Sequence, residues 1–372
     1  LPAIVLDNVD KVYPGPVTAL RQLTLEARPG EYLTVVGPSA CGKTTALRLI
    51  AGLESPTAGR VRFDHSDVTR LPPARRGVGM VFQSYALYPH LTVRENLAFA
   101  AAGIGREEVR RRVLDAARSL GLEAALDRRP AELSGGERQR AALGRCLVRQ
   151  PDTTLLDEPL SNLDAPLRAA ARTDLKTLHR RIGSTTIHVT HDQEEALSLG
   201  DRVAVMSRAR LEQVAPPLEI YHRPANRFVA AFLGSPTMNF LPGRIERHEG
   251  LAFVETGTAG LRLHIPPRLA PRFAPGLDRN TVLGFRPTAL FLHSSRDAAH
   301  PTLTLVTQAL EPLGDVIDVR CVTSAGAPLI ARLPRHSAVD PGHPLTLTLD
   351  LSRAHLFEPG DFGKRLSRDG DD

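Results

Sequence analysis

Residues 32–51 read YLTVVGPSACGKTTALRLIA: a mostly apolar β-branched run, a loop bounded by glycines, then apolar residues at helical spacing. Tyr32 to Val36 is predicted to be a buried strand and Thr44 to Ala51 a helix. The loop between them, Gly37-Pro38-Ser39-Ala40-Cys41-Gly42-Lys43-Thr44, matches G-x-x-x-x-G-K-[ST] in the setting that gives the pattern its mechanism. Loop amides and a helix N-terminus point positive dipoles at a phosphate. Lys43 adds a charge for the β and γ groups, and Thr44 offers a hydroxyl to Mg²⁺. The competing reading is an ordinary glycine-rich strand-to-helix turn.

Working outward, Glu107 to Leu120 and Glu137 to Val148 are predicted as amphipathic helices, the second stopped by Pro151. Leu155-Leu156 ends a further strand, and TTIHVT (185–190) is the last clear one. Strands alternating with helices to about residue 235 predict an α/β domain on a parallel sheet, residues 1–235. From about Pro236 the pattern becomes alternating runs, LRLHI (261–265), TLTLV (302–306), VIDVRCV (316–322) and PLTLTLDL (344–351), between Gly and Pro clusters. Residues 236–372 are therefore expected to be all-β, a small barrel or sandwich of the OB type. The tail KRLSRDGDD is expected to fray.

Composition agrees with this division. The chain has 372 residues, 42% apolar and 24% charged, a length suited to two or three domains. The basic surplus of 6 (47 Lys and Arg against 41 Asp and Glu) is small and scattered, so nucleic acid is not expected as a partner. Cys41, Cys146 and Cys321 are too far apart for a zinc spacing or a disulfide framework, which fits a reducing cytosol. No run approaches the ~18 to 20 apolar residues that span a bilayer, and Asp7 and Asp10 interrupt the start, so the chain is expected neither to cross nor to enter a membrane.

Two further segments carry chemistry. Asp157-Glu158 follows a predicted strand end, where one carboxylate can face Mg²⁺ and the next can polarise a water at the γ-phosphate; alone, such a pair is more often a solvated turn, and the phosphate loop reverses that preference. Leu133-Ser134-Gly135-Gly136-Glu137-Arg138-Gln139-Arg140 opens a helix with a hydroxyl and two glycines, either a second anion cradle or a Ser-capped helix with a basic face.

With these segments in order, the chain resembles the ATP-hydrolysing subunit of an ATP-binding-cassette (ABC) transporter, and within that superfamily the maltose and glycerol-phosphate type of sugar-importer ATPase. The resemblance implies a P-loop ATPase domain with a helical signature subdomain, followed by an OB-like domain for regulation and dimerisation. It implies that Gly37 to Thr45 is the Walker A loop, Gln83 the Q-loop glutamine, and Leu133 to Arg140 the signature motif. Asp157 is then the Walker B aspartate, Glu158 the catalytic base, Ser161 to Asp164 the D-loop, and His191 in VTHDQEEAL the switch histidine. Glu158, His191 and Gln83 are the expected catalytic group. Thr44, Gln83 and Asp157 are expected at Mg²⁺. Tyr13 is expected against adenine, with Thr45, Ser134, Gly135, Gly136, Asp164 and the loop residues also at ATP. Each ATP would lie between one Walker A loop and the signature Ser134, Gly135 and Gly136 of a second copy.

Further partners follow from the resemblance: membrane permeases docking on Tyr85 to His90 and, indirectly, a solute-binding protein, with the chain peripheral at the cytoplasmic face of the cell membrane. Gly284-Phe-Arg-Pro287, Leu310-Glu-Pro-Leu-Gly314 and His355-Leu-Phe-Glu358 resemble landmarks of the regulatory domain. Gly234-Ser-Pro-Thr-Met-Asn239 looks like the sugar importers rather than those for sulfate or ferric iron. Alternatives are uptake of another solute (sulfate, polyamine, ferric iron), a non-transport ABC ATPase, or a P-loop kinase, which has no use for LSGGERQR. Three departures stand out. Ala40 replaces a usual glycine, Thr153 and Thr154 replace apolar residues before Asp157, and Glu137 stands where glutamine is common.

Overall fold

The computed structural model describes residues 1–101, 103–247, 249–293 and 300–367. The chain forms two compact units, Leu1–Leu218 and Glu219–Asp372. In order, the first carries β1 (Ile4–Tyr13), β2 (Val17–Ala27), β3 (Tyr32–Val36), α1 (Lys43–Ala51), β4 (Ala58–Phe63), β5 (Ser66–Asp67), β6 (Val78–Val81), α2 (Val93–Phe99), α3 (Arg106–Ser119), α4 (Gly135–Arg149), β7 (Thr153–Asp157), α5 (Ala165–Ile182), β8 (Thr185–Thr190), α6 (Gln193–Leu199), β9 (Arg202–Ser207) and β10 (Arg210–Ala215).

Six of these strands make one sheet in the order β10-β9-β3-β8-β7-β6. All neighbours are parallel except the edge strand β10, which runs antiparallel to β9. β3, β7 and β8 are buried at every position. Central strands covered on both faces read as continuous apolar runs, which is why β3 is legible in sequence. The same burial makes each threonine hydroxyl in β7 and β8 a cost unless it is bonded. Thr154 Oγ1 meets Ser184 Oγ at 2.7 Å and Thr190 Oγ1 donates to Glu195 at 2.7 Å.

The parallel sheet was expected; β9 and β10, beyond the last predicted strand, and a second sheet were not. β2-β1-β4-β5 form a four-stranded sheet, with β1 antiparallel to both β2 and β4. Its register shifts at several points along β1, and Asn8 and Gln22 both take φ 48°. Such bulges interrupt the period-two alternation by which a strand is recognised.

At the C-terminus of α1, four carbonyls are gathered by one side chain. The Arg76 guanidinium donates to Leu49 O (2.7 Å), Ile50 O (2.9 Å), Thr69 O (3.0 Å) and Leu71 O (2.9 Å). It thereby satisfies helix-end acceptors that the helix itself leaves open.

The second unit carries, after α7 (Pro217–His222) at the junction, α8 (Arg227–Phe232), β11 (Asn239–Arg247), β12 (Leu251–Glu255), β13 (Arg262–Ile265), α9 (Ala270–Phe273), β14 (Asn280–Phe285), β15 (Leu290–Leu292), β16 (Thr302–Leu313), β17 (Val316–Val322), β18 (Pro328–Pro334), β19 (Pro344–Leu349) and β20 (His355–Phe357). Its two five-stranded sheets, β13-β12-β11-β14-β20 and β15-β19-β16-β17-β18, are antiparallel throughout. One core joins them, Leu241, Phe253 and Leu283 with Leu303, Val319 and Leu347.

The units divide before residue 235 because Arg286 reaches back along the chain. Its buried guanidinium donates to the carbonyls of Tyr221 (3.2 Å), Ala230 (2.9 Å) and Leu233, and lies 4.2 Å from the Tyr221 ring centroid. Part of the tail is also held rather than frayed. Lys364 bridges to Asn226 and Arg365 to Phe357, and Ser367 is buried; residues 368–372 lie outside the described residues.

Thr153 is the exception among the threonines of β7 and β8: it is fully buried, and Oγ1 has no hydrogen-bond partner among the described residues. Thr153→Val removes that hydroxyl at constant shape. It should stabilise the protein by about 1 kcal/mol in chemical denaturation, with the slope against denaturant unchanged.

Candidate nucleotide site

The site grows from the C-terminal edge of the parallel sheet. Val36 pairs with Thr190, and Asp157 with Val189, so β3, β7 and β8 end level with one another. The segments leaving them, Gly37 to Gly42, Glu158 and His191, emerge at one edge, the place where open parallel sheets bind ligands.

At Gly37 and Gly42 glycine is required by space. A Cβ on Gly37 would collide with the Met206 carbonyl oxygen and sit 2.8 Å from Cys41 Sγ. On Gly42, at φ 105°, it would strike the Ala19 carbonyl oxygen of β2. The bare loop therefore wraps closely into the start of α1, with Pro38, Ser39 and Ala40 exposed and Thr44 and Thr45 half-buried in its first turn. Lys43 is buried, its Nζ donating to Gly37 O (2.8 Å) and Pro38 O (2.9 Å), so the ammonium lies inside the loop. Cys41 is buried beside it, and burial pushes its thiol up from the ordinary value against the pull of Lys43.

Thr44 Oγ1 donates to Asp157 Oδ1 at 3.0 Å. Burial raises the Asp157 carboxyl above its usual range, the Thr44 bond opposes this, and the adjoining Glu158 adds to it. A hydroxyl and a buried carboxylate are hard oxygen donors beside a glycine cradle, a set that fits Mg²⁺ with phosphate.

Glu158 stands at φ 46°, its amide donating to Val189 O (2.9 Å) and its carbonyl accepting from Ser161 Oγ (2.9 Å). Its Oε2 meets His191 Nδ1 at 3.1 Å and accepts from Gln83 Nε2 at 3.4 Å. The three expected catalytic residues thus meet on one carboxylate oxygen, and Gln83 bonds Glu158 rather than the Thr44–Asp157 pair. Asn162, inside the expected D-loop but given no role of its own there, ties the same group through the backbone, Nδ2 donating to Gln83 O at 2.9 Å.

Other expected residues lie elsewhere on the unit. Tyr13 ends β1 across from the exposed Val17, with Lys11 Nζ 4.8 Å from its ring centroid. Asp164 is exposed and caps α5, Oδ1 accepting from Leu167 N at 3.0 Å. Ser134 is exposed and caps α4 in a closed box: its Oγ accepts from Glu137 N (3.2 Å) and Glu137 Oε2 accepts from its amide (2.8 Å). Glu137 therefore does at this position what a glutamine would. A Cβ at Gly135 would come no nearer than 3.8 Å to Leu163, and one at Gly136 no nearer than 3.6 Å to Arg140. Packing within this chain does not require those two glycines.

The Tyr85 to His90 segment is corrected in part. Tyr85 is buried at φ 63°, its hydroxyl unpartnered among the described residues, whereas Tyr88 is half-buried and His90 exposed. Tyr88 packs edge-on against Phe99 at 4.8 Å, and Phe99 is 56% exposed, so the apolar surface extends onto α2, where helical periodicity alone assigned nothing. Asn96 holds this turn, accepting from Tyr88 N (2.8 Å) and donating to the carbonyls of Tyr88 (3.1 Å), Leu91 (3.1 Å) and Thr92 (2.9 Å).

Ala40 has φ 60°, in the left-handed region where a Cβ costs ~1–2 kcal/mol. Ala40→Gly relieves that strain against a smaller loss of unfolded-state restriction. A net gain of about 0.5–1 kcal/mol is expected in chemical denaturation, together with tighter nucleotide binding by titration.

Comparison with known proteins gives matches along the chain. The family model "ABC transporter" matches residues 20–161, "MalK OB fold domain" residues 234–290, and "TOBE domain" residues 283–357. The sn-glycerol-3-phosphate import ATP-binding protein UgpC of Chromohalobacter salexigens is 44% identical over 356 residues, covering 95% of this chain and 93% of its own. The maltose/maltodextrin import ATP-binding protein MalK of Photorhabdus laumondii is 43% identical over 373 residues, 98% of each chain. Among solved structures, the dimeric post-hydrolysis state of the ATP-binding cassette MJ0796 bound to ADP and Pi superposes with TM-score 0.53 at 31% identity, covering 57% of this chain and 98% of that one. With these matches along nearly its whole length, the chain belongs to the ABC transporter family, as an ATP-hydrolysing subunit of an importer.

Proposed function

We propose that Gly37 to Thr45, Asp157, Glu158, Gln83 and His191 form the hydrolytic half-site of this ATPase, and that a second copy completes it with Ser134, Gly135 and Gly136. The observation that carries the reading is the meeting of Gln83, Glu158 and His191 on one carboxylate oxygen beside the glycine loop. Loop amides and Lys43 bind the β and γ phosphates, and Tyr13 with Val17 receives the adenine. Thr44 and Asp157 hold Mg²⁺, which when bound neutralises phosphate oxygens. Glu158 takes a proton from the attacking water as the water oxygen bonds the terminal phosphorus and the bridging P–O bond opens, releasing ADP and inorganic phosphate. His191 and Gln83 hold the carboxylate in place.

The need for a second copy is supported by glycines at the start of α4 that this chain's own packing does not require, and by a Ser134 hydroxyl that, accepting from Glu137 N, keeps its proton to donate. Asp164 belongs to the same face. In this reading residues 1–235 are the ATPase domain and 236–372 the OB-like domain that regulates and pairs the subunits. The half-buried Tyr88 with the exposed His90 and Phe99 forms the surface for a membrane permease, and the chain works peripherally at the cytoplasmic face of the membrane. The relatives import sn-glycerol-3-phosphate and maltose or maltodextrin. A carbohydrate or glycerol-phosphate, delivered by a solute-binding protein, is the proposed cargo.

Glu158→Gln should lower steady-state phosphate release by ~10²-fold or more while leaving ATP affinity within a factor of about two. ATP should then hold the protein as a dimer in sedimentation. Near-normal release would remove Glu158 from the role. Tyr88→Asp should cost less than about 1 kcal/mol of stability and keep ATP affinity, yet abolish co-purification with the permeases. Tyr85→Asp, which buries a charge, should cost ~3 kcal/mol or more.

A further inference from the structure

His191 is 55% exposed, and its ring makes its hydrogen bond to Glu158. Its place therefore depends on the residues on either side. Thr190, buried at the end of β8, donates from Oγ1 to Glu195 Oε2 (2.7 Å) and accepts there from Asp192 N (3.0 Å). Asp192 caps α6, its Oδ1 accepting from Glu194 N (2.8 Å) and Glu195 N (3.1 Å). Its second oxygen, Oδ2, faces Arg168 Nη1 of α5 at 3.4 Å.

Arg168 spans three partners. Nη2 donates to Leu163 O at 3.0 Å, Nη1 reaches Asp192, and Nε lies 4.0 Å from Glu195 Oε1. Glu195 is nearly fully buried, so a cation beside it carries more weight than one at the surface. Arg168 stands one turn after the Asp164 cap, so its fork ties the carbonyl that ends Ser161-Asn162-Leu163 to the residue after His191. A planar guanidinium can address a carbonyl and two carboxylates at once; an ammonium cannot present that fork.

α5 makes two further bonds to α6, each one turn on: Arg172 Nη1 to Glu194 Oε2 at 3.1 Å and Lys176 Nζ to Ser198 O at 2.7 Å. Glu194 is 79% exposed, so the Arg172 pair adds little. These bonds join the same two helices without touching Thr190, Asp192 or Leu163, which makes Arg172 an internal control.

We infer that Arg168 is a positioning residue for hydrolysis: by linking Leu163 O to Asp192 and Glu195, it sets where His191 stands against Glu158. The inference rests on the catalytic roles proposed for those two residues. Displacement of a catalytic group by about 1 Å is enough to cost ~10²-fold in rate.

The test uses the full chain. In Arg168→Met, hydrogen exchange at the amides of Asp192, Glu194 and Glu195 should rise about tenfold or more without nucleotide. Its kcat should fall at least tenfold, with ATP affinity within twofold and a small change in Tm. Arg168→Lys should recover only part of kcat, and Arg172→Met should stay within twofold of the parent. Asp192→Asn keeps the cap and loses the charge, so its effect on kcat should not add to that of Arg168→Met. Unchanged exchange at those amides, equal losses in Arg172→Met, or parallel losses of affinity and kcat would each overturn the inference. If Glu158→Gln still hydrolysed ATP while the exchange result held, the catalytic reading would fail and the link from Arg168 to Asp192 would stand.

Discussion

The level ending of β3, β7 and β8 is the constraint on which the rest of the site depends. Parallel pairing of Val36 with Thr190 and of Asp157 with Val189 brings three segments, far apart in sequence, to one edge. A one-residue slip in a strand would turn each side chain to the opposite face, and Asp157 would no longer face Thr44. Burial of all three strands on both faces strongly resists such a slip.

That rigidity is obtained with polar groups inside the protein, and each has a partner that explains its presence or a cost that does not vanish. Tyr32 OH meets His188 Nδ1 at 3.1 Å in the centre of the sheet. Burial pushes His188 down to about 3, so it stays neutral across the physiological range. His191, three residues on, stands at the sheet edge instead, half exposed. Two histidines of the same segment therefore differ in setting because one lies within the buried strand and the other just past its end, beside Glu158. Arg76 and Arg286, one in each unit, use the same device, a buried guanidinium that gathers carbonyls at places where helices end. Removing either would leave several buried acceptors without donors.

Two of the residues with positive φ stand at the same edge. Ala40 and Glu158 both occupy the left-handed region, at φ 60° and 46°, one in the phosphate loop and the other at the proposed base. Residues held in such conformations persist only where surrounding bonds over-determine them. For Glu158 these bonds are visible, through Val189 O on one side and Ser161 on the other. Gly37 and Gly42 belong to the same geometry, since the loop can close on β2 and β9 only where no Cβ intervenes.

Much of this was legible beforehand. The strand before the loop, the helices at Thr44, Glu107 and Glu137, the β-rich character of the second half (though not its short helix α9) and the glycine-bounded loop follow from local pattern, because continuous apolar runs, helical spacing and glycine positions are properties of short windows. The four-stranded sheet around β1 escaped because its bulges break the alternation. The burial of Tyr85 and the exposure of Phe99 also escaped, since each depends on what lies across from the residue rather than beside it in sequence. The sequence by itself singled out the groups proposed to hold phosphate and take a proton. Only the tertiary structure decided that Gln83 and His191 meet on Glu158, that Asn162 and Arg168 stand behind them, and that Arg286 binds α8 to the β-rich unit. Those bonds join residues dozens of positions apart, and they exist only once the sheet has set its register.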